Sequence, residues 1–219
     1  MEVTDRYEPP IDAIVPVREP QRWLALALLF FAQMVAIGSI SYGFSVLLKS
    51  LTASFSVSRA EANYGLMAVL IGMAVFSPLI GRALDKISGR IILMGGAVLF
   101  VAGWLVIAAT HNSVVALLAA FFLLAPGGAA MGPLAASTLV ARWFTEKRGL
   151  ALGIVSVASS TGGVIVVPLM AQMIGAFGWR QAMAIFAVVA SAVVLVFAMV
   201  VMPNGNDRPA RQAGGAGAA

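Results

Sequence analysis

The chain has 219 residues, 61% hydrophobic and only 11% charged, with a net charge of +5. Soluble domains carry about a quarter charged residues, so this composition excludes an ordinary water-soluble core and makes the lipid bilayer the natural solvent. The basic residues are scattered singly and in small groups, which excludes a nucleic-acid partner, and the absence of cysteine excludes disulfides and thiolate metal sites.

Residues 1–22 are polar, hold Pro9, Pro10, Pro16 and Pro20, and carry five acids against three arginines. They read as a disordered tail rather than the basic start of a signal peptide. A helix needs about 20 apolar residues to cross a bilayer, and six runs qualify within residues 23–202. In order they are Trp23–Leu48, Ala62–Ile80, Ile91–Ala109, Val114–Val140, Leu150–Gly175 and Gln181–Met202. The fourth holds Pro126 and Pro133 and is expected to kink or tilt. Residues 203–219 end in "AGGAGAA" and read as a flexible tail.

Orientation follows from the distribution of Lys and Arg. With both termini in the cytoplasm, the inner segments hold eleven: Arg6, Arg18, Arg22, Arg82, Lys86, Arg90, Arg142, Lys147, Arg148, Arg208 and Arg211. The outer segments hold Lys49, Arg59 and Arg180. The expectation is an integral protein of the inner or plasma membrane, with Trp23, Trp143 and Trp179 at helix edges as an aromatic belt.

An internal repeat runs through the spans. "FSVSRA" begins at Phe55 and "FTEKRG" at Phe144, each with Arg four positions on, at Arg59 and Arg148. "PLIGRALDKISGR" begins at Pro78 and "PLMAQMIGAFGWR" at Pro168, each running from Pro to a final Arg, at Arg90 and Arg180. The offset is 89 or 90 residues, and three helices per unit invert the second copy. The fold expected is therefore an all-α membrane protein of six transmembrane helices, arranged as two inverted three-helix repeats.

"GRALDKISGR" fills the turn after the second run. Its Gly81, Asp85, Lys86 and Arg90 resemble the signature loop of the major facilitator superfamily. "YGFSVLLKSL" at 42–51 with "SRAE" at 58–61, and "ARWFTEKRGLALGI" at 141–154 with "GWR" at 178–180, are similar to its monocarboxylate-transporter and oxalate–formate-antiporter-like branch. The resemblance covers about residues 23–202 and implies the N-terminal half of that fold. It also implies that the loop latches the two halves of a full transporter in one conformation. Two positions depart from the family pattern. Ser88 stands where the loop usually has Gly, with Gly89 next, and no Lys stands near Tyr42. Read from the residues, Gly81 permits a tight turn at a helix end, and Asp85 can pair with a basic neighbour or a helix N-terminus. Lys86 and Arg82 also fit a plain topology signal.

The apolar runs contain no clear acid or base, so they offer no intramembrane proton relay. The remaining candidates for a substrate cavity are uncharged: Gln33, Ser39 and Tyr42 on the first helix, Asn63 at the start of the second, and Ser159 and Ser160 on the fifth. Ser and Gly also simply permit close helix packing. Gly38 and Gly43 would let the first helix flex near Tyr42.

Three classes of function compete. The first is transport of a small solute, which the resemblance implies to be an organic anion such as a monocarboxylate. The chain would then act as the N-terminal half of a secondary transporter, beside a second six-helix half or another copy. The second is an intramembrane enzyme; the single histidine, His111, lies in an outer turn and no H-E-x-x-H is present, so catalysis is not expected. The third is a truncated or accessory membrane protein without transport of its own. No residue set calls for a cofactor or a metal.

Overall fold

The computed structural model describes residues 19–202 apart from 112 and 145, and the two tails lie outside those residues except for 19–22. Every described element is helical: α1 (Glu19–Ile37), a π-helical turn (Gly38–Tyr42), α2 (Phe44–Phe55), α3 (Arg59–Lys86), α4 (Gly89–Ala109), α5 (Val114–Met131), α6 (Pro133–Trp143), α7 (Arg148–Phe177) and α8 (Trp179–Val201). Six helical stretches are long and apolar enough to cross a membrane. In hydrocarbon every backbone polar group must be satisfied within its own segment, and a helix does this.

The six stretches match the six apolar runs, but their ends differ. The first helix starts at Glu19 and, through the π turn, continues to Phe55 rather than Leu48. The second runs on to Lys86 rather than Ile80. Bilayer thickness fixes the apolar length of a span; local capping fixes the helix. Ser58 and Glu61 form a capping box that starts α3, and α3 stops only where Ile87 turns extended. The fourth run breaks at Gly132, where the backbone becomes extended, and Pro133 starts α6 as its first residue. Pro126 is carried inside α5.

Packing obeys the inverted repeat. The first helix packs along α7, and α3 packs along α5, so each unit's first helix lies on the other unit's second. Two glycines 90 residues apart mark these crossings. A Cβ on Gly72 would stand 2.5 Å from the Ala125 methyl, and one on Gly162 would stand 2.6 Å from the Met34 carbonyl oxygen. Without a hydrophobic force between helices in lipid, such small-residue contacts let dispersion attraction hold the crossing. The third helices of the two units, α4 and α8, pack antiparallel against each other. Their buried faces include Leu93, Phe100, Trp104, Met183, Phe186 and Val194.

α1 and α5 are the most enclosed helices, whereas only 17% of the apolar window of α3 and 28% of that of α7 is buried. The faces of α3 and α7 are therefore where this bundle is open.

Candidate functional site

The polar residues of the first helix meet α7. The two helices run parallel: Gln33 faces Ser159, Gly38 meets Gly162, and Gly43 meets Met170. The missing side chains at Gly38 and Gly162 bring the backbones together, and that closeness lets Gln33 Nε2 donate to Ser159 Oγ at 2.9 Å. Gln33 is 1% exposed, and its Oε1 is buried without a partner among the described residues. An unpaired buried carbonyl costs about 1–3 kcal/mol, so this amide is not placed for stability alone. Its neighbour Ser160 is exposed. Among the described residues, five other hydroxyls on the spanning helices (Ser39, Ser77, Ser137, Ser156 and Thr161) donate to their own helix backbone.

Tyr42 ends the π turn. Its ring lies over Gly163, within 3.3 Å of where a Cβ would stand, and the residue is 44% exposed. The π turn closes through the Gly43 N–H donating to the Gly38 carbonyl at 2.7 Å. It inserts one residue into the helix and re-aims the side chains beyond it, as such turns do at functional sites. Gln33, Ser159, Ser160 and Tyr42 thus share one crossing.

Two candidates do not join them. Ser39 is fully buried and its hydroxyl donates to Val35 O at 2.7 Å and also lies 3.3 Å from Ala36 O, so it is absorbed by its own helix. Asn63 is exposed near the start of α3 and donates to the Arg59 carbonyl at 3.1 Å. Gly43 has a helical backbone, and Met170 packs on it.

At one end of the bundle lies the loop between α3 and α4. Asp85 is exposed and accepts from Arg142 Nη2 at 2.7 Å; Arg142 Nη1 donates to the Leu84 carbonyl at 2.6 Å. One guanidinium at the end of α6 thereby holds the last turn of α3 by a side chain and a backbone group. The sequence counts Arg142 only among the topology charges; its membership in the "ARWF" block is the signal that marks it. Gly81 makes no turn: α3 continues five residues past it, and the space around it is open. The turn is made by Ile87 and Ser88 instead. Gly89, which comes after the Ser88 departure, sits against Leu139 with no room for a side chain. Lys86 is exposed, and Arg90 Nη1 donates to the Met202 carbonyl at 3.3 Å.

The opposite end holds the "GWR" stretch. Gly178 has φ +76°, which favours glycine, and α8 starts just after it. Trp179 Nε1 donates to Ser54 Oγ at 2.9 Å. Arg180 lies 4.3 Å from the Trp179 ring and 5.9 Å from the Phe55 ring, and its Nη2 donates to the Thr110 carbonyl at 3.2 Å. No group of three or more acids or histidines is placed to hold a metal among the described residues.

Comparison with known proteins agrees with this architecture. The family model "Major Facilitator Superfamily" matches residues 24–218. An oxalate:formate antiporter of Oxalobacter formigenes is 26% identical over 191 residues, which are 87% of this chain and 45% of that protein. An MFS-type transporter of Gibberella moniliformis is 37% identical over 112 residues, 50% of this chain and 26% of that protein. Among solved structures, the inward-open xylose transporter XylE of E. coli superposes with a TM-score of 0.67 at 18% identity, covering 82% of this chain and 47% of that one. The chain therefore spans less than half the length of these relatives, and it belongs to the major facilitator superfamily.

Proposed function

From that membership we propose that the chain carries a small organic anion, monocarboxylate-like in size, across a membrane as the N-terminal six-helix bundle of a secondary transporter. The observation that carries this reading is the Gln33–Ser159 pair. It is a polar contact at the close crossing of α1 and α7, with one amide oxygen left unpaired among the described residues; Ser160 is the next residue on α7, and Tyr42 packs on Gly163 farther along the same crossing. The 26% identity to an oxalate:formate antiporter supports the anion class. On this reading the bundle supplies one wall of the solute path, and the open faces of α3 and α7 meet a second six-helix half or another copy, because alternating access rocks one bundle against another.

The same reading gives the Asp85 loop a conformational role. Asp85 holds the Arg142 bond, and Gly81, Lys86 and Arg90 lie with it at the α3–α4 end of the bundle, away from Tyr42, where a latch between bundles would act. Both termini face the cytoplasm in this proposal, from the eleven-to-three division of basic residues. Reporter fusions at His111 and at the C-terminus are expected on opposite sides. The main test is reconstitution in liposomes. The chain alone is expected to give no saturable uptake of a panel of carboxylates; together with a complementary six-helix half it is expected to do so. Robust uptake by the chain alone overturns the half-transporter reading. Undiminished uptake in Gln33→Ala and Tyr42→Ala overturns the site.

A further inference from the structure

Two arginines, 90 residues apart, do the same job at opposite ends of one helix pair. Arg90 opens α4 and donates to the carbonyl of Met202, the residue that closes α8. Arg180 opens α8 and donates to the carbonyl of Thr110, the residue that closes α4. Each helix thus has its terminal carbonyl capped by a cation from the first turn of the other, and cations are favoured at helix C-termini, where carbonyls lack intrahelical partners. The two ends differ in one respect. Arg180 is also stacked on Trp179 and flanked by Phe55, and Trp179 donates to Ser54. Phe55 and Ser54 form the tip of α2, beyond the face of Phe44, Leu47 and Leu51 that is buried in the core. Between α2 and the enclosed α1 lies the π turn, and just beyond the tip Ser56 takes a left-handed backbone with φ 52°. α2 is therefore bounded by two irregular joints, anchored along its length by that buried face, and held at its tip by the Trp179–Arg180 clasp.

We propose that Arg90 and Arg180 are reciprocal clamps that keep α4 and α8 as one unit. Arg180, through Trp179, also latches the tip of α2, so that this tip moves away from the end of α4 when the latch opens. The latch is a planar stack with one directed hydrogen bond, for which arginine and lysine are not interchangeable. It is separate from the positive charge that sets topology.

The chain has no cysteine, so spin labels can be placed by introduced cysteines alone. Three label pairs on the purified chain in nanodiscs separate the parts. Ala53→Cys with His111→Cys spans the α2 tip and the α4 end. Val106→Cys with Ile185→Cys spans α4 and α8 at the same end. Ile91→Cys with Val200→Cys spans α4 and α8 at the other end. Arg180→Ala is expected to broaden the first two distance distributions and leave the third unchanged. Arg90→Ala is expected to broaden only the third. Arg180→Lys and Ser54→Ala keep the topology charges and guard against misfolding. Both are expected to shift the first pair toward longer distances while the third stays sharp. Unchanged first-pair distributions in both of these variants overturn the latch, and simultaneous broadening of all three pairs in Arg180→Ala or Arg90→Ala overturns the division into separate clamps.

Discussion

The two crossings, of the first helix on α7 and of α3 on α5, are built on one plan and filled with different chemistry. Both run parallel, both turn on a glycine, and Gly72 and Gly162 are 90 residues apart. At the first crossing Gln33 bonds Ser159. Ninety residues on from Gln33 stands Leu123, and ninety before Ser159 stands Val69. The α3–α5 crossing is closed by Phe121, Phe122 and Ala125 instead. A fold that closes with hydrocarbon at one crossing does not need an amide at its copy. The difference separates what the repeat needs for assembly, which is a glycine, from what it does not need, which is the polar pair.

Breaking the glycines should have the largest effect. At Gly162 a Cβ meets backbone, the Met34 carbonyl and the Gly38 Cα at 2.8 Å; at Gly72 it meets the Ala125 side chain. Overpacking of this kind costs about 1–3 kcal/mol, so both Gly162→Ala and Gly72→Ala are expected to lower the melting temperature in detergent. The pair separates on rescue. Ala125→Gly should restore Gly72→Ala, whereas no side-chain trimming restores Gly162→Ala. Gly81→Ala is the control: its surroundings are open and it sits inside a helix, so it should gain about 0.5–1 kcal/mol. Equal melting for Gly162→Ala and wild type would show that the crossing is not set by that glycine.

The polar pair should move function more than stability. Interhelical hydrogen bonds in membranes average about 0.6 kcal/mol, and Gln33→Leu also removes the unpaired oxygen, so its melting temperature should stay close to wild type. In an assembly competent for uptake, the same variant should lose most of its transport. A large fall in melting temperature with transport intact would make the pair a packing device, and the contrast between the crossings would lose its functional meaning.

At the loop end, Asp85→Asn keeps the size of the side chain and removes its charge, while Arg142 keeps its bond to the Leu84 carbonyl. The ion pair is exposed on the Asp85 side, and exposed pairs contribute about 0–1 kcal/mol, so stability should barely change. The maximal rate of transport should fall with little change in substrate affinity, read from uptake against substrate concentration. Parallel loss of affinity would place Asp85 in the solute path and not in the latch.

Much of this was legible in the sequence because lipid imposes simple rules. Six apolar runs gave six spanning helices, and the 89–90 residue offset between Phe55 and Phe144 and between Pro78 and Pro168 announced the paired crossings. What the sequence hid depends on direction and on contacts between distant elements. No local pattern tells that Arg142 reaches back to Asp85, that Gly81 lies inside a helix, or that Arg180 caps α4. The π turn was equally hidden, since no local pattern tells that Gly38 and Gly43 pack on Gly162 and Met170.

Ser39 is the sharpest lesson of this kind and gives the smallest expected effect. It lies six residues after Gln33, opens toward the same turn as Tyr42 in sequence, and belongs to the same polar set. Yet it is fully buried, and its hydroxyl is taken up by the carbonyls of Val35 and Ala36. Such back-bonding satisfies a hydroxyl inside an apolar helix without adding stability, and it slightly perturbs the helix it serves. Ser39→Ala removes the hydroxyl together with its two local bonds and leaves no buried side-chain polar atom behind. Its melting temperature and its transport should both stay at wild-type levels, in contrast to Gln33→Leu, which should change transport alone. If Ser39→Ala abolished uptake while the protein stayed folded, the site would extend along the first helix, beyond the Gln33–Ser159 crossing and into the π turn itself.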